Sequence, residues 1–349
     1  MRIHTRKTVN DWTEYILNNG KMSVNLLNYG ATITKIITPD RECNLENIVL
    51  TYKDYNMYKE NPFYLGSVIG SVAGRIANAQ FEIDGKTYNV EKNDGENHLH
   101  GGSNGLHKQL WQGEPFEKLD SVGVRFQTTI SEKVDGYPGN LDVTVTYTLT
   151  NHNELLIDYQ AQTDQARPVV LTNHTYFNLT GNAKETVHNH EVQFSSDKIL
   201  ELDEELIPTE EIIDTKGTTF DFNDGRKLSE GLRSNHSQHL IAGNGYDHYF
   251  IFNDMPSKVL VSEESSGRGL VIETDQPGMV LYSGNNLDSE VDLLGVASSS
   301  QGKYLGVCFE TQAHPVALNH GDLGLPSVIV RPGEKYEQRT RLTFNKGNQ

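Results

Sequence analysis

Cysteine is scarce in this chain of 349 residues: there are two, Cys43 and Cys308, far apart in sequence. A disulfide-built secreted domain uses more, so both are read as reduced thiols. Cys308 lies in an apolar run, which favours a buried structural place over a nucleophile. Positive charge is also short. Lys and Arg total 30 against 47 Asp and Glu, a formal charge of −17, and no Lys/Arg cluster occurs. That balance argues against nucleic acid, anionic membranes and phosphorylated polymers as partners, and leaves a neutral sugar open. Long hydrophobic runs are missing. The longest apolar-leaning stretch, residues 64–73, is broken by Gly and Ser and is far too short to span a bilayer. Met1-Arg2-Ile3-His4-Thr5-Arg6 opens onto polar sequence with no apolar signal core, so a cytoplasmic protein is expected. Nucleotide signatures are absent too, with no P-loop and no strand–G-x-G-x-x-G–helix unit. No G-x-S-x-G elbow marks an α/β-hydrolase. No cofactor is expected.

Helical periodicity is sparse, limited to a turn or two at Asp54–Lys59 and at Gly225–Leu232. What the chain has in quantity is turn formers and aromatics, with 31 Gly, 16 Tyr and 12 Phe, a balance suited to a turn-rich β protein. Period-two alternation recurs throughout. Val24 to Ile37 reads as a strand pair, and Phe81–Val90 as a hairpin with Asp84-Gly85 at a turn needing positive φ. Val122–Ile130, Leu141–Leu149 and Leu155–Ala161 read as a meander, followed by Val169–Leu179 and Val192–Leu200. Residues 201–239, acidic and polar, read mostly as loop. Val259–Glu263 pairs with Leu270–Thr274, and Met279–Ser283, Tyr304–Glu310, Ser327–Val330 and Tyr336–Phe344 close the chain. The expectation is an all-β fold, one antiparallel domain over residues 1–349, built as a sandwich or barrel with few short helices.

Several polar groups stand at the edges of apolar or Gly-rich runs, where a side chain is held yet can reach a cleft. His174 sits in Leu171-Thr172-Asn173-His174-Thr175-Tyr176-Phe177-Asn178-Leu179. That mixture of aromatic faces, amides and an imidazole suits a sugar, although a lone His among Thr and Asn also suits a hydrogen-bonded turn. Glu310 ends the apolar run Leu305-Gly306-Val307-Cys308-Phe309. Partial desolvation there would raise its pKa toward a useful base; the plainer alternative is a charge guarding an edge strand. His100 precedes Gly101 and Gly102, which let backbone approach a ligand or simply form a turn. His98 and His100 make an H-x-H pair, but no third ligand with suitable spacing follows, so no metal site is expected. Asp247, beside Tyr246 and His248, could orient a hydroxyl or cap a turn. Arg75, after Gly70-Ser71-Val72-Ala73-Gly74, could clamp an oxygen or pair with one of the many acids.

With these residues the chain resembles the aldose 1-epimerase (galactose mutarotase) family. The resemblance runs from Asn28-Tyr29-Gly30-Ala31 to Arg331-Pro332-Gly333-Glu334. It rests on five motifs in the family's order: Ala73-Gly74-Arg75-Ile76, Leu99-His100-Gly101-Gly102, Asn173 through Leu179, Tyr246-Asp247-His248, and Glu310-Thr311-Gln312. The resemblance implies a large antiparallel β-sandwich with a cleft across one sheet, and interconversion of the α and β anomers of a free aldose such as D-galactose or D-glucose. It makes Glu310 the general base on the C1 hydroxyl and His174 the general acid on the ring oxygen. Arg75, His100 and Asp247 then hold ring and hydroxyl oxygens. His174 would start protonated and Glu310 ionised, giving a pH optimum near neutrality. The chain departs from the family at Gly74, where many members carry Asn, and at Ala313-His314-Pro315, where an aromatic often precedes the Pro. Two rivals remain: a non-catalytic sugar-binding module, and a phosphohexose epimerase, which would need more cations near the cleft. The expected partner is a small sugar, with the chain a monomer or homodimer.

Overall fold

The structure is a computed structural model that describes residues 1–287, 291–296, 302–319 and 323–346. Alternating burial builds its longest strands. In Asn140–Thr150, Leu141, Val143, Val145, Tyr147 and Leu149 are buried while Asp142 and the threonines between them face outward. Each such aliphatic contributes about 1.5–3 kcal/mol by leaving water, which fixes the register. Nine strands align in this way in one antiparallel sheet: Gln112–Glu117, Ser121–Ser131, Asn140–Thr150, Glu154–Thr163, Tyr336–Lys346, Arg268–Thr274, Ser257–Glu263, Glu191–Phe194 and Arg226–Lys227, in that order. A five-stranded sheet runs Arg2–Lys7, Thr13–Asn18, Ser23–Leu27, Thr32–Pro39, Leu45–Asn47. A six-stranded sheet runs Tyr176–Phe177, Val307–Thr311, Gly278–Tyr282, Asp247–Ile251, Lys198–Leu202, Pro208–Asp214. One hydrophobic cluster joins all three. Val24, Leu26 and Ile33 of the five-stranded sheet meet Val145, Ile157 and Leu342 of the nine-stranded sheet, and Leu281, Val307 and Phe309 of the six-stranded sheet. The layers therefore form a β-sandwich, and helices are few and short. Among the described residues no helix is long and apolar enough to cross a membrane.

The expected hairpin is present. Gln80–Ile83 pairs with Lys86–Asn89 around Asp84 and Gly85, both at positive φ (53° and 77°), which matches the strand twist. Two expectations need correction. Residues 169–179 are not one strand. Val170 bridges Val72, Thr172–Asn173 pairs with Val68–Ile69, and Tyr176–Phe177 joins the six-stranded sheet. The polar centre of this stretch draws the chain toward the 66–67 turn instead: His174 N donates to Ser67 O at 3.0 Å, and Gly66 N donates to His174 O at 2.9 Å. Residues 192–200 split likewise between two sheets, crossing at Ser196, whose hydroxyl donates to Ile251 O at 2.6 Å. The 201–239 region is loop and turn over just more than half its length, and it also supplies the edge strand Pro208–Asp214, the expected helical turn at Leu228–Leu232 and a second one at Ser237–Ile241.

Candidate active site

The six-stranded sheet has two different faces. Met279, Leu281, Val307, Phe309 and Phe250 point into the core. One residue out of step, Val280, Tyr282, Glu310, Asp247 and Tyr249 point the other way and floor a cavity of about 260 Å³. Strand register places Glu310 opposite Val280 and Val280 opposite Tyr249, with Asp247 opposite Tyr282. Glu310 is thus on an interior strand and 3% exposed, so the edge-guard alternative fails.

All five residues singled out in the sequence, Arg75, His100, His174, Asp247 and Glu310, line this one cavity. His174 is held by its backbone bonds to residues 66 and 67. Its Nε2 lies 3.5 Å from Glu310 Oε1, and its Nδ1 lies 3.5 Å from Cys308 Sγ. Cys308 is buried, as expected, and it also braces the imidazole. Arg75 Nε donates to Asp94 Oδ2 at 2.7 Å. His100 has a left-handed backbone (φ 54°), and its Nδ1 accepts from Gly74 N at 3.1 Å. With Nδ1 so used, the neutral ring carries its hydrogen on Nε2. The backbone N–H of residue 74, which any residue but proline carries, thus orients His100, and the departure at Gly74 leaves this contact in place. The left-handed turn also separates the H-x-H pair. His98 turns away, its Nδ1 2.6 Å from Glu91 O and its ring edge-on to Tyr137. The glycine after His100 has a different use from the one expected. A Cβ on Gly101 would stand 2.0 Å from the Gly70 carbonyl, so the close approach is to backbone.

Burial governs the charges. It pushes the Glu310 carboxyl well above the usual range, reinforced by the nearby Asp247 charge and opposed by Arg75. Burial also raises Asp247. It lowers His174 to about 4, and depresses His100, where His174 and Arg75 add to the effect. Burial thus favours a protonated Glu310 beside a neutral His174. This is the same single proton as the ionised pair expected from the sequence, placed on the other partner.

His100, His174 and Glu310 bring three ligand atoms within 4.8 Å of one another. These residues could in principle ligate a cation, but the same three groups also serve as a proton-moving and hydrogen-bonding set.

Sequence reasoning missed other lining residues: Tyr64, Asp94, Tyr249, Tyr282, Gln312 and His314. Gln312 was findable, since a residue two positions beyond Glu310 continues the same face. Its Oε1 is buried with no partner among the described residues. His314 Nδ1 accepts from Val316 N at 3.0 Å and starts a short helical turn. Tyr64 gave no local signal. Its ring packs edge-on against His100 at 4.8 Å and lies 5.9 Å from His174.

Comparison with known proteins agrees with this geometry. A family model described as aldose 1-epimerase matches residues 13–343. The chain is 38% identical to the galactose mutarotase of Homo sapiens over 335 residues, covering 95% of this chain and 94% of that protein. It is 34% identical to the maltose epimerase of Levilactobacillus brevis over 341 residues, covering 96% of each. The crystal structure of galactose 1-epimerase from Lactobacillus acidophilus is similar with a TM-score of 0.84 at 29% identity, over 99% of this chain and 98% of that one. Matched along nearly its whole length, this chain, whose cavity gathers a carboxyl, imidazoles and a guanidinium, belongs to the aldose 1-epimerase family and is an epimerase.

Proposed function

We propose that this epimerase interconverts the α and β anomers of free aldohexoses such as D-galactose and D-glucose, with Glu310 and His174 moving the protons. The observation that carries the reading is the 3.5 Å approach of His174 Nε2 to Glu310 Oε1, both side chains buried at the floor of a small cavity. Ring opening removes one proton from the O1 hydroxyl and delivers one to the ring oxygen O5. The Glu310 carboxylate takes the first and His174 Nε2 gives the second. The C1–O5 bond breaks as the C1–O1 carbonyl forms, the aldehyde rotates about C1–C2, and reclosure returns both protons. Each group is worth ~10²–10⁴-fold.

Burial rests the pair's proton on Glu310. An O1 hydroxyl donating to that oxygen favours the carboxylate, so the proton passes to His174 with no change in net charge. His100 Nε2–H, the Arg75 guanidinium and the Asp247 carboxyl hold the remaining oxygens. The unpartnered Gln312 Oε1 is suited to a sugar hydroxyl.

Phosphorylated sugars fit poorly. Arg75 is the one Lys or Arg lining the cavity among the described residues, and Asp94 already offsets its charge. We place the enzyme in the cytoplasm, in keeping with a chain of 349 residues that carries only two cysteines.

Polarimetry of freshly dissolved α-D-galactose tests the reading. Wild type should speed the approach to the same final rotation, and Glu310→Gln should lose that effect while still binding sugar. An unchanged rate with both galactose and glucose overturns it.

A further inference from the structure

The far end of the cavity is walled by a hairpin. Lys198–Leu202 and Pro208–Asp214 form the edge of the six-stranded sheet, and Leu202, Leu206 and Pro208 line the cavity. The connecting turn is held by Asp203. Its Oδ1 accepts from Glu205 N at 2.9 Å and from Ile207 N at 3.0 Å, and Leu206 N donates to its carbonyl at 3.1 Å. At the tip Leu206 has φ +60°, a conformation a leucine keeps only when its surroundings over-determine it.

Glu205 supplies the remaining constraint. Its Oε2 accepts from Asn97 Nδ2 at 2.9 Å, joining segments 108 residues apart. The Asn97 amide is already oriented, because its Oδ1 takes the Asn78 N–H at 2.9 Å. Asn97 N in turn donates to Asp94 O at 2.9 Å, in the turn that holds Arg75. One hydrogen bond therefore ties the hairpin tip to the arm that carries Arg75 on the opposite wall.

Position gives this tie a consequence. From the strand of Glu310, the sheet runs through Gly278–Tyr282 and Asp247–Ile251 to Lys198–Leu202. Three strand steps span roughly 14 Å. A pyranose with C1 at Glu310 and hydroxyls reaching Asp247 directs its C4 end toward the hairpin. The cavity, about 260 Å³, is smaller than the ~300–1,000 Å³ of typical ligand sites and has room for one ring.

We propose that the 203–207 turn is a specificity element. Latched by Glu205 to Asn97, it sets Leu206 against the C4 side of the sugar and bars reducing disaccharides carrying a second ring there. This rests on the epimerase reading with C1 at Glu310.

The test is kcat/KM by polarimetry for glucose and for maltose, a 4-O-linked reducing disaccharide, in wild type and three variants. Leu206→Gly opens the wall, and its positive φ suits glycine, so the turn keeps its shape. Glu205→Ala cuts the latch, and Glu205→Gln keeps an acceptor for Asn97. The maltose-to-glucose ratio should rise about tenfold or more in Leu206→Gly, chiefly through KM, in keeping with the 10–200-fold reach of apolar pocket contacts. It should rise less in Glu205→Ala and stay at the wild-type value in Glu205→Gln. A wild type that turns over maltose as well as glucose overturns the proposal, as does an unchanged ratio. A ratio that falls makes Leu206 a platform for the second ring, and also overturns it. A wild type inactive on both sugars instead removes the underlying epimerase reading, and the specificity element with it.

Discussion

At the scale of single residues, the site turns on one proton held between two buried groups. Below about pH 4, His174 gains a second proton and the pair can no longer accept one from O1. Above the raised pKa of Glu310 the pair loses its proton and cannot supply O5. Activity should therefore plateau between these limits, with its acid limb set by His174 well below the ordinary imidazole value. A kcat/KM profile of the free enzyme reads these limits directly, and an acid limb centred at the ordinary imidazole value would count against a buried neutral His174. The two groups act as a unit, so Glu310→Gln and His174→Asn should each cost ~10²–10⁴-fold in kcat. The double variant should cost little more than either single one, because such pairs are strongly non-additive. Rate losses that multiply would show two independent groups.

At the scale of elements, the active face is a period-two pattern shifted by one residue. Val307 and Phe309 fill the core while Glu310 faces the cavity and Cys308, on the same side, is buried against His174; Met279 and Leu281 alternate with Val280 and Tyr282 in the same way. This alternation made the strands legible, as it did the Asp84-Gly85 hairpin. It did not reveal how residues 169–179 break into three pairings, because there side-chain amides and hydroxyls compete with the ladder. Asn173 Nδ2, for example, donates to Gly66 O at 2.9 Å. Placement of Arg75, His100 and Asp247 around His174 and Glu310 was implied by family resemblance, since no local pattern encodes contacts between such distant segments. The glycine after His100 offers a test at this scale. Gly101 is at φ +82° with the Gly70 carbonyl where a Cβ would go. Gly101→Ala should cost on the order of 1–3 kcal/mol through strain and overpacking, read as a lower denaturant midpoint at unchanged m. It should also reduce turnover by displacing His100. A midpoint within error of wild type would show that the loop accommodates the methyl freely.

At the scale of the whole molecule, one cluster shared by three sheets predicts a single cooperative unfolding transition for residues 1–349, and many of its titratable groups are held neutral inside. Burial lowers His174, His190 and His239 from 6.5 to about 4, and His107, His248 and His314 to about 3. In the unfolded chain each binds a proton as pH falls below 6.5, whereas in the folded chain each stays neutral until pH 3–4. The unfolded state thus binds more protons throughout that window, and stability falls with pH, by up to about 1.4 kcal/mol per pH unit for each group. Glu310 and Asp247 have the opposite sign. Their raised pKa values mean that the folded state takes up protons first, so acid favours it. Six imidazoles outweigh two carboxyls. The thermal midpoint should therefore drop on going from pH 7 to pH 5, well above the range where ordinary surface carboxylates titrate. His248→Gln should flatten that slope. Its Nε2 lies 3.0 Å from Gln238 Oε1, a partner that a glutamine amide can still donate to, so the buried contact survives while one titrating group is removed. A midpoint constant from pH 7 to pH 5, or a slope unchanged in His248→Gln, would mean that these histidines are protonated in the folded chain after all, and the neutral His174 of the acid–base pair would lose its main physical support.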